Sequence, residues 1–139
     1  MNEAQRMVAQ FHEAFNAFSR DAPGMPPGEI ADFRLEFIAE ELEELTQAVA
    51  NDDLVRIADG LGDLLYVVYG AGLAFGIDLE PILAEIHRSN MTKLGGPVRE
   101  DGKQLKPDWY EPPQLAPILE AQGWQRPAAA QLPLESESI

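Results

Sequence analysis

The chain has 139 residues, no cysteine and a formal charge of −14 at pH 7, enough length for one domain with a sizeable core and too little for two comfortable ones. Such acidity argues against duplex nucleic acid as a partner, because affinity for that polyanion rests on Lys and Arg at phosphates. The lack of cysteine excludes disulfides, thiolate metal sites and thiol nucleophiles, and fits a reducing, cytoplasmic setting.

The N-terminal MNEAQRMVAQ has neither the basic start nor the apolar run of a secretory signal. The longest uncharged run, Leu64 to Ile77, is shorter than the roughly 18 residues of a membrane span. A buried helix is expected there, and no membrane contact.

Helical periodicity runs from residue 2 to about residue 94. In the first segment Met7, Phe11, Phe15 and Phe18 form one apolar stripe, read as core and not as a base-stacking platform. The proline- and glycine-rich DAPGMPPGE, Asp21 to Glu29, must be a loop. A second helix is predicted from about Asp32 to Ala50, with Leu35, Ile38, Leu42, Leu45 and Val49 as its core stripe.

Asn51-Asp52-Asp53 ends that helix and offers a cap to the next, so the two form an antiparallel hairpin. The third helix, about Leu54 to Phe75, is apolar on nearly every side after Leu61 and should be the most buried. Gly76 stops it, Asp78 caps a fourth helix carrying Leu79, Ile82, Leu83 and Ile86, and Pro81 sits in the first turn. The fourth helix frays near Lys93.

From Gly95 the chain reads as loop, with one short helix from Pro113 to Ala121 and a disordered tail over RPAAAQLPLESESI. The expected architecture is all-α: an antiparallel bundle of four main helices in a domain spanning 1–112, then a loop-rich C-terminal extension, 113–139.

The stretch EELEEL, Glu40 to Leu45, places four carboxylates on the second helix. At 100° per residue, Glu40 and Glu43 point away from the stripe, whereas Glu41 and Glu44 share its flank beside Phe37 and Ala48. Like charges three residues apart repel by a few tenths of a kcal/mol, and no Lys or Arg stands close enough in sequence to relieve them. The segment is either a solvated acidic face or a cation site.

Asp59 and Asp63 lie one turn apart on the third helix, and six apolar residues follow Asp63, which should therefore be substantially buried. An ionised carboxylate there costs several kcal/mol unless it is paired. Arg56 can give Asp59 a plain salt bridge; the alternative is a hard divalent ion, Mg²⁺ or Mn²⁺, held by Glu41, Glu44, Asp59 and Asp63. Neither His12 nor His87 has a Glu three residues before it, which excludes the di-iron pattern, and zinc is poorly supplied.

Half of the basic residues, Arg88, Lys93, Arg99, Lys103 and Lys106, fall in one segment with Asn90, Thr92 and a Gly-Gly pair. These groups suit an anionic ligand such as a polyphosphate. His87 reads as a packing or hydrogen-bonding residue, and Tyr66 and Tyr69 stay open between core and ligand contact.

EELEEL, IADGLGDLLYVVYGAGLAFGIDL and EIHRSNMTKLGGPVREDGKQLKP together resemble the all-α nucleoside triphosphate pyrophosphohydrolases, the MazG-like group related to phosphoribosyl-ATP pyrophosphohydrolase, over about residues 30 to 112. The resemblance implies a Mg²⁺ site at Glu41, Glu44 and Asp63. Where the family has an acid three residues before Asp63 this chain has Gly60, and Asp59 is the substitute on the same helix face.

It further implies hydrolysis of an NTP or dNTP to monophosphate and pyrophosphate, with Glu40 or Glu44 as base. Arg88, Asn90, Lys93, Lys103 and Lys106 would hold phosphates, and Tyr66 would contact the nucleotide. Relatives are dimers or tetramers, and house-cleaning of dUTP or dCTP is suggested by kinship. A phosphoribosyl-ATP-type substrate and a non-catalytic module binding nucleotide or protein are the alternatives, the latter kept open by Gly60.

Overall fold

The computed structural model describes residues 1–128 and is all-helical. Each main helix starts where a short polar side chain, or a proline, can close the first turn. Helix α1, Glu3–Ala14, is capped by Asn2, whose side chain accepts from the Gln5 N–H. Helix α2, Gly28–Ala50, begins four residues before the sequence boundary, because Pro27 lends its carbonyl to Ile30 and Ala31 and needs no N–H itself.

Helix α3, Leu54–Ala74, is capped by Asp53, and helix α4, Leu79–Met91, by Asp78. Asp52 takes a φ of 51° in the turn between α2 and α3, a left-handed conformation that aspartate tolerates. Gly76, with φ 71°, ends α3, and any Cβ there would run into the Ala22 carbonyl.

Helix α5, Ala116–Ala121, is shorter than predicted, starting three residues after Pro113. Val98 and Gln104 pair across a tight turn in the basic segment; there is no strand among the described residues. The expectation of a disordered tail falls mostly on 129–139, outside the described residues.

Helices α2 and α3 pack along each other as the predicted hairpin, α1 lies across α3, and α4 touches the other helices only slightly. The buried faces differ from the predicted stripes. On α1 the inner face is Gln5, Val8 and His12, while Met7, Phe11 and Phe15 are exposed. Gln5 is wholly buried because it donates to the Ile77 carbonyl and accepts from the Leu79 N–H, satisfying backbone groups at the α3–α4 turn.

On α2 the residues facing α3 are Arg34, Glu41, Leu45 and Ala48, whereas Leu35, Leu42 and Val49 lie outside. On α3 the buried positions are Gly60, Gly70, Gly72, Leu73 and Ala74, and Leu54, Leu61, Leu65 and Val68 are exposed. The predicted most buried helix is thus buried along its small residues and bare along a stripe of large ones. Periodicity registers that a face is apolar; it does not register whether the chain itself covers that face.

By length and composition α3 could cross a membrane, a test that core helices also pass. Its glycines mark it as a packing helix: a Cβ on Gly60 would lie 3.3 Å from Leu45 Cα, and one on Gly72 2.9 Å from Leu79 Cδ1.

Candidate active site

The close approach at Gly60 sets the site. With no side chain there, α3 seats against the Leu45 backbone, and the carboxylates one turn away converge. Glu41 and Glu44 of α2 and Asp63 of α3 each offer an oxygen within 4.8 Å of the others. A side chain at position 60 would start against α2, its Cβ 3.3 Å from Leu45, so an acid there would have to push the two helices apart.

Glu41 is the inner member. Its Oε2 is buried without a hydrogen-bond partner. Burial first, then Glu44, Asp63, Asp59 and Glu40 in that order, push its pKa above the ordinary carboxylate range. An acceptor-only oxygen orphaned beside two further carboxylates fits a hard divalent cation, which supplies the missing positive partner.

Asp63 is half-buried where burial was expected, and Glu44 is exposed, so the cluster opens to solvent on one side. Asp59 lies outside the converging trio and lines a neighbouring cleft with Glu44, Gln47, Asn51, Arg56 and Gly60. Arg56 turns to Asp53, at 3.5 Å, and not to Asp59, so the plain salt bridge considered for Asp59 does not form. Glu40 is exposed, next to the cluster and not part of it.

The basic segment folds onto α4. Lys93 is almost wholly buried, and the Lys93 and Lys106 ammonium groups lie 5.7 and 5.2 Å from the Tyr110 ring centroid. Arg99 pairs with Asp101, and Lys103 closes the same turn by accepting the Arg99 N–H. Asn90 and Lys103 are half-buried, Lys106 exposed.

Arg88 is held at 2.8 Å by both Glu85 and Glu111. Glu85 is driven down to about 2, by Arg88 first and then the Gln114 N–H. Arg88 therefore clamps the C-terminal segment to α4, a structural duty that competes with the phosphate contact expected of it. Ser89 reinforces the clamp by donating to the Glu111 carbonyl at 2.7 Å.

His87 is exposed on α4, where a packing or hydrogen-bonding residue was expected. Tyr66 stands one turn beyond Asp63, with its ring edge-on to Phe11 at 5.8 Å, and is 41% exposed. Tyr69 accepts from the Asn2 side chain. Two buried polar residues meet at Gly70: Arg34, which the sequence pattern did not single out, and His12, weighed there only as a metal ligand. The signal for Arg34 was available: it is a cation one heptad, or two helical turns, before Glu41 on an acid-rich helix.

A helical hairpin with acidic side chains converging from both members is a candidate divalent-cation site. The chain matches the phosphoribosyl-ATP pyrophosphohydrolase family over residues 8–90, and it belongs to that family. The family is divalent-metal dependent and carries nucleotide pyrophosphohydrolase-type activity, and the trio supplies suitable donors.

An uncharacterized protein of Acanthamoeba polyphaga mimivirus is 53% identical over 47 residues, 34% of this chain. The chain spans only 19% of that relative's length.

Proposed function

We propose that the protein is a Mg²⁺-dependent nucleoside triphosphate pyrophosphohydrolase, Mn²⁺ also serving, that converts an NTP or dNTP to its monophosphate and pyrophosphate. The observation that carries this reading is the convergence of Glu41, Glu44 and Asp63 around an orphaned buried oxygen of Glu41. Bound among them, the cation would supply positive charge to the phosphates and lower the pKa of a water.

Glu41, Glu44 and Asp63 would hold the cation there, with Asp59 at the margin. A carboxylate, Glu40 or Glu44, accepts the proton as water oxygen bonds to phosphorus. The bond between the α and β phosphates breaks, and pyrophosphate leaves with the electron pair. Asn90, Lys93, Lys103 and Lys106 are the donors for phosphate oxygens, acting by position and charge.

The working form is a cytoplasmic homodimer, with a tetramer as the larger assembly. Leu35, Leu42 and Val49 of α2 and Leu54, Leu61, Leu65 and Val68 of α3 are all exposed. At 100° per residue on antiparallel helices, both stripes fall on one side of the hairpin, opposite Glu44 and Asp59. An apolar face of that extent suits a self-complementary contact with a second copy.

The direct test is pyrophosphate release from a panel of NTPs, dNTPs and phosphoribosyl-ATP with Mg²⁺ or Mn²⁺. Turnover that disappears in Glu41→Gln and Asp63→Asn is expected. No turnover of any member, with both variants indistinguishable from wild type, would leave a non-catalytic module. The family's own description is the reason to include phosphoribosyl-ATP.

A further inference from the structure

Arg34 is the most unusual charge in the chain. It is 8% exposed, its Nε has no hydrogen-bond partner, and no carboxylate pairs with it among the described residues. In a protein of charge −14 acids are plentiful, yet this guanidinium faces rings: Phe33 and Phe37 lie 6.0 and 5.8 Å from it. A nearly buried guanidinium whose Nε–H is left open implies an acceptor that arrives from outside.

His12 supplies the complementary atom. It is 4% exposed, and its Nδ1 is 3.2 Å from the Phe18 carbonyl and 3.1 Å from the Ser19 hydroxyl; the carbonyl can only accept and the hydroxyl can accept as well, so a proton on Nδ1 is the tautomer that serves both contacts. Burial and the Arg34 charge keep the ring neutral by lowering its pKa. Nε2 is then an acceptor. Arg34 Nη1 and His12 Nε2 each lie 3.2 Å from where a Cβ of Gly70 would be, so a donor and an acceptor stand side by side where the chain leaves out a side chain.

The place of this pair suggests its ligand. Arg34 precedes Glu41 by seven residues, and Gly70 follows Asp63 by seven. On both helices that is two turns, about 10 Å along one groove. The groove is aromatic on either bank: Phe33 against Phe37 at 4.3 Å on α2, and Phe11 against Tyr66 across α1 and α3. Phosphates at the acid cluster put a nucleoside's flat, apolar-faced end here, where rings can stack on it.

We propose that Arg34 and His12 form the edge-reading floor of a nucleobase subsite that prefers an oxo base, one presenting a carbonyl beside a ring N–H. The carbonyl accepts from Arg34 and the N–H donates to His12 Nε2. This rests on the nucleotide reading above. Uracil, thymine and guanine offer that pair of groups; cytosine and adenine offer an amino group in place of the carbonyl.

The test is kcat/KM for dUTP, dGTP, dCTP and dATP in wild type, Arg34→Met and Arg34→Lys, with thermal unfolding to confirm folding. Wild type should favour dUTP and dGTP. Arg34→Met should lower those two by about 10- to 100-fold, mainly through KM, and bring the oxo-to-amino ratio toward one. Arg34→Lys should recover only part, having lost the planar fork.

Should Arg34→Met not fold, Gly70→Ala reads the same ratio, since it keeps both groups and fills the point between them. No oxo preference in wild type, or an equal fall for all four substrates, would overturn the subsite; the equal fall is what an arginine paired with a second copy's acid would give. No turnover of any substrate by wild type would instead overturn the parent reading.

Discussion

The two sides of the α2–α3 hairpin carry opposite chemistry, and in the reverse of the usual arrangement. Between the helices sit a guanidinium, an orphaned carboxylate oxygen and glycines; on the outer side stand Leu35, Leu42, Leu61 and Leu65. A chain selected only for its own stability would place leucines inward and acids outward. In the proposed reading the inner charges are a site, and the outer leucines are a surface for a second copy. Changes to either side should therefore fail in different ways.

The largest effect should come from the inner side. Glu41→Gln keeps the shape but removes the charge that faces the cation, and should cost at least about 10²-fold in kcat; pyrophosphate release measures it. Glu40→Gln and Glu44→Gln then separate base from ligand. Loss of metal-dependent stabilisation marks a ligand, and loss of turnover with that stabilisation intact marks the base.

On the outer side, Leu42→Glu with Leu65→Glu places charges in an apolar contact, at a cost of several kcal/mol when they are desolvated. Light scattering should show the mass halved to that of one chain while α2 and α3 stay folded. A retained dimer would break the comparison.

Gly60→Ala should cost about 1–3 kcal/mol and weaken metal binding, because its Cβ meets Leu45 Cα, Cβ and Cδ1 at 3.3 Å and must push the helices apart. Denaturant unfolding with and without Mg²⁺ would show both losses together. Asp53→Ala should be the mildest, about 1 kcal/mol from the lost cap on α3, with metal binding unchanged.

The helices were legible in the sequence because caps and breakers act locally: Asp53, Gly76 and Asp78 stop and start elements by bonds to their own neighbours. Glu41, Glu44 and Asp63 were legible for a related reason, since spacing on two adjacent helices fixes which carboxylates share an edge. The inward face of α2 was not. Leu35, Leu42 and Val49 outscore Arg34, Glu41 and Ala48 in apolarity, and only the packing at Gly60 and Gly70 reveals which set faces α3.

Arg88 illustrates a different limit. Its charge was visible, but its partners Glu85 and Glu111 include one from 23 residues away, and a sequence does not say which charges are already spoken for.

The central claim is that Glu41 is a carboxylate kept unsatisfied for a cation, and thermal unfolding of wild type and Glu41→Gln in chelator and in Mg²⁺ tests it directly. The pKa of Glu41 is raised above its ordinary value of 4.5. Its contribution to folding is therefore fully present below pH 4.5 and is lost as pH rises through the raised value, leaving a penalty at neutral pH.

At pH 7 in chelator, Glu41→Gln should melt a few degrees above wild type, and that gap should close as pH falls toward 4.5. Mg²⁺ should raise the wild-type Tm and leave the variant nearly unmoved. A variant that melts below wild type in chelator, or that gains as much from Mg²⁺, would contradict the account.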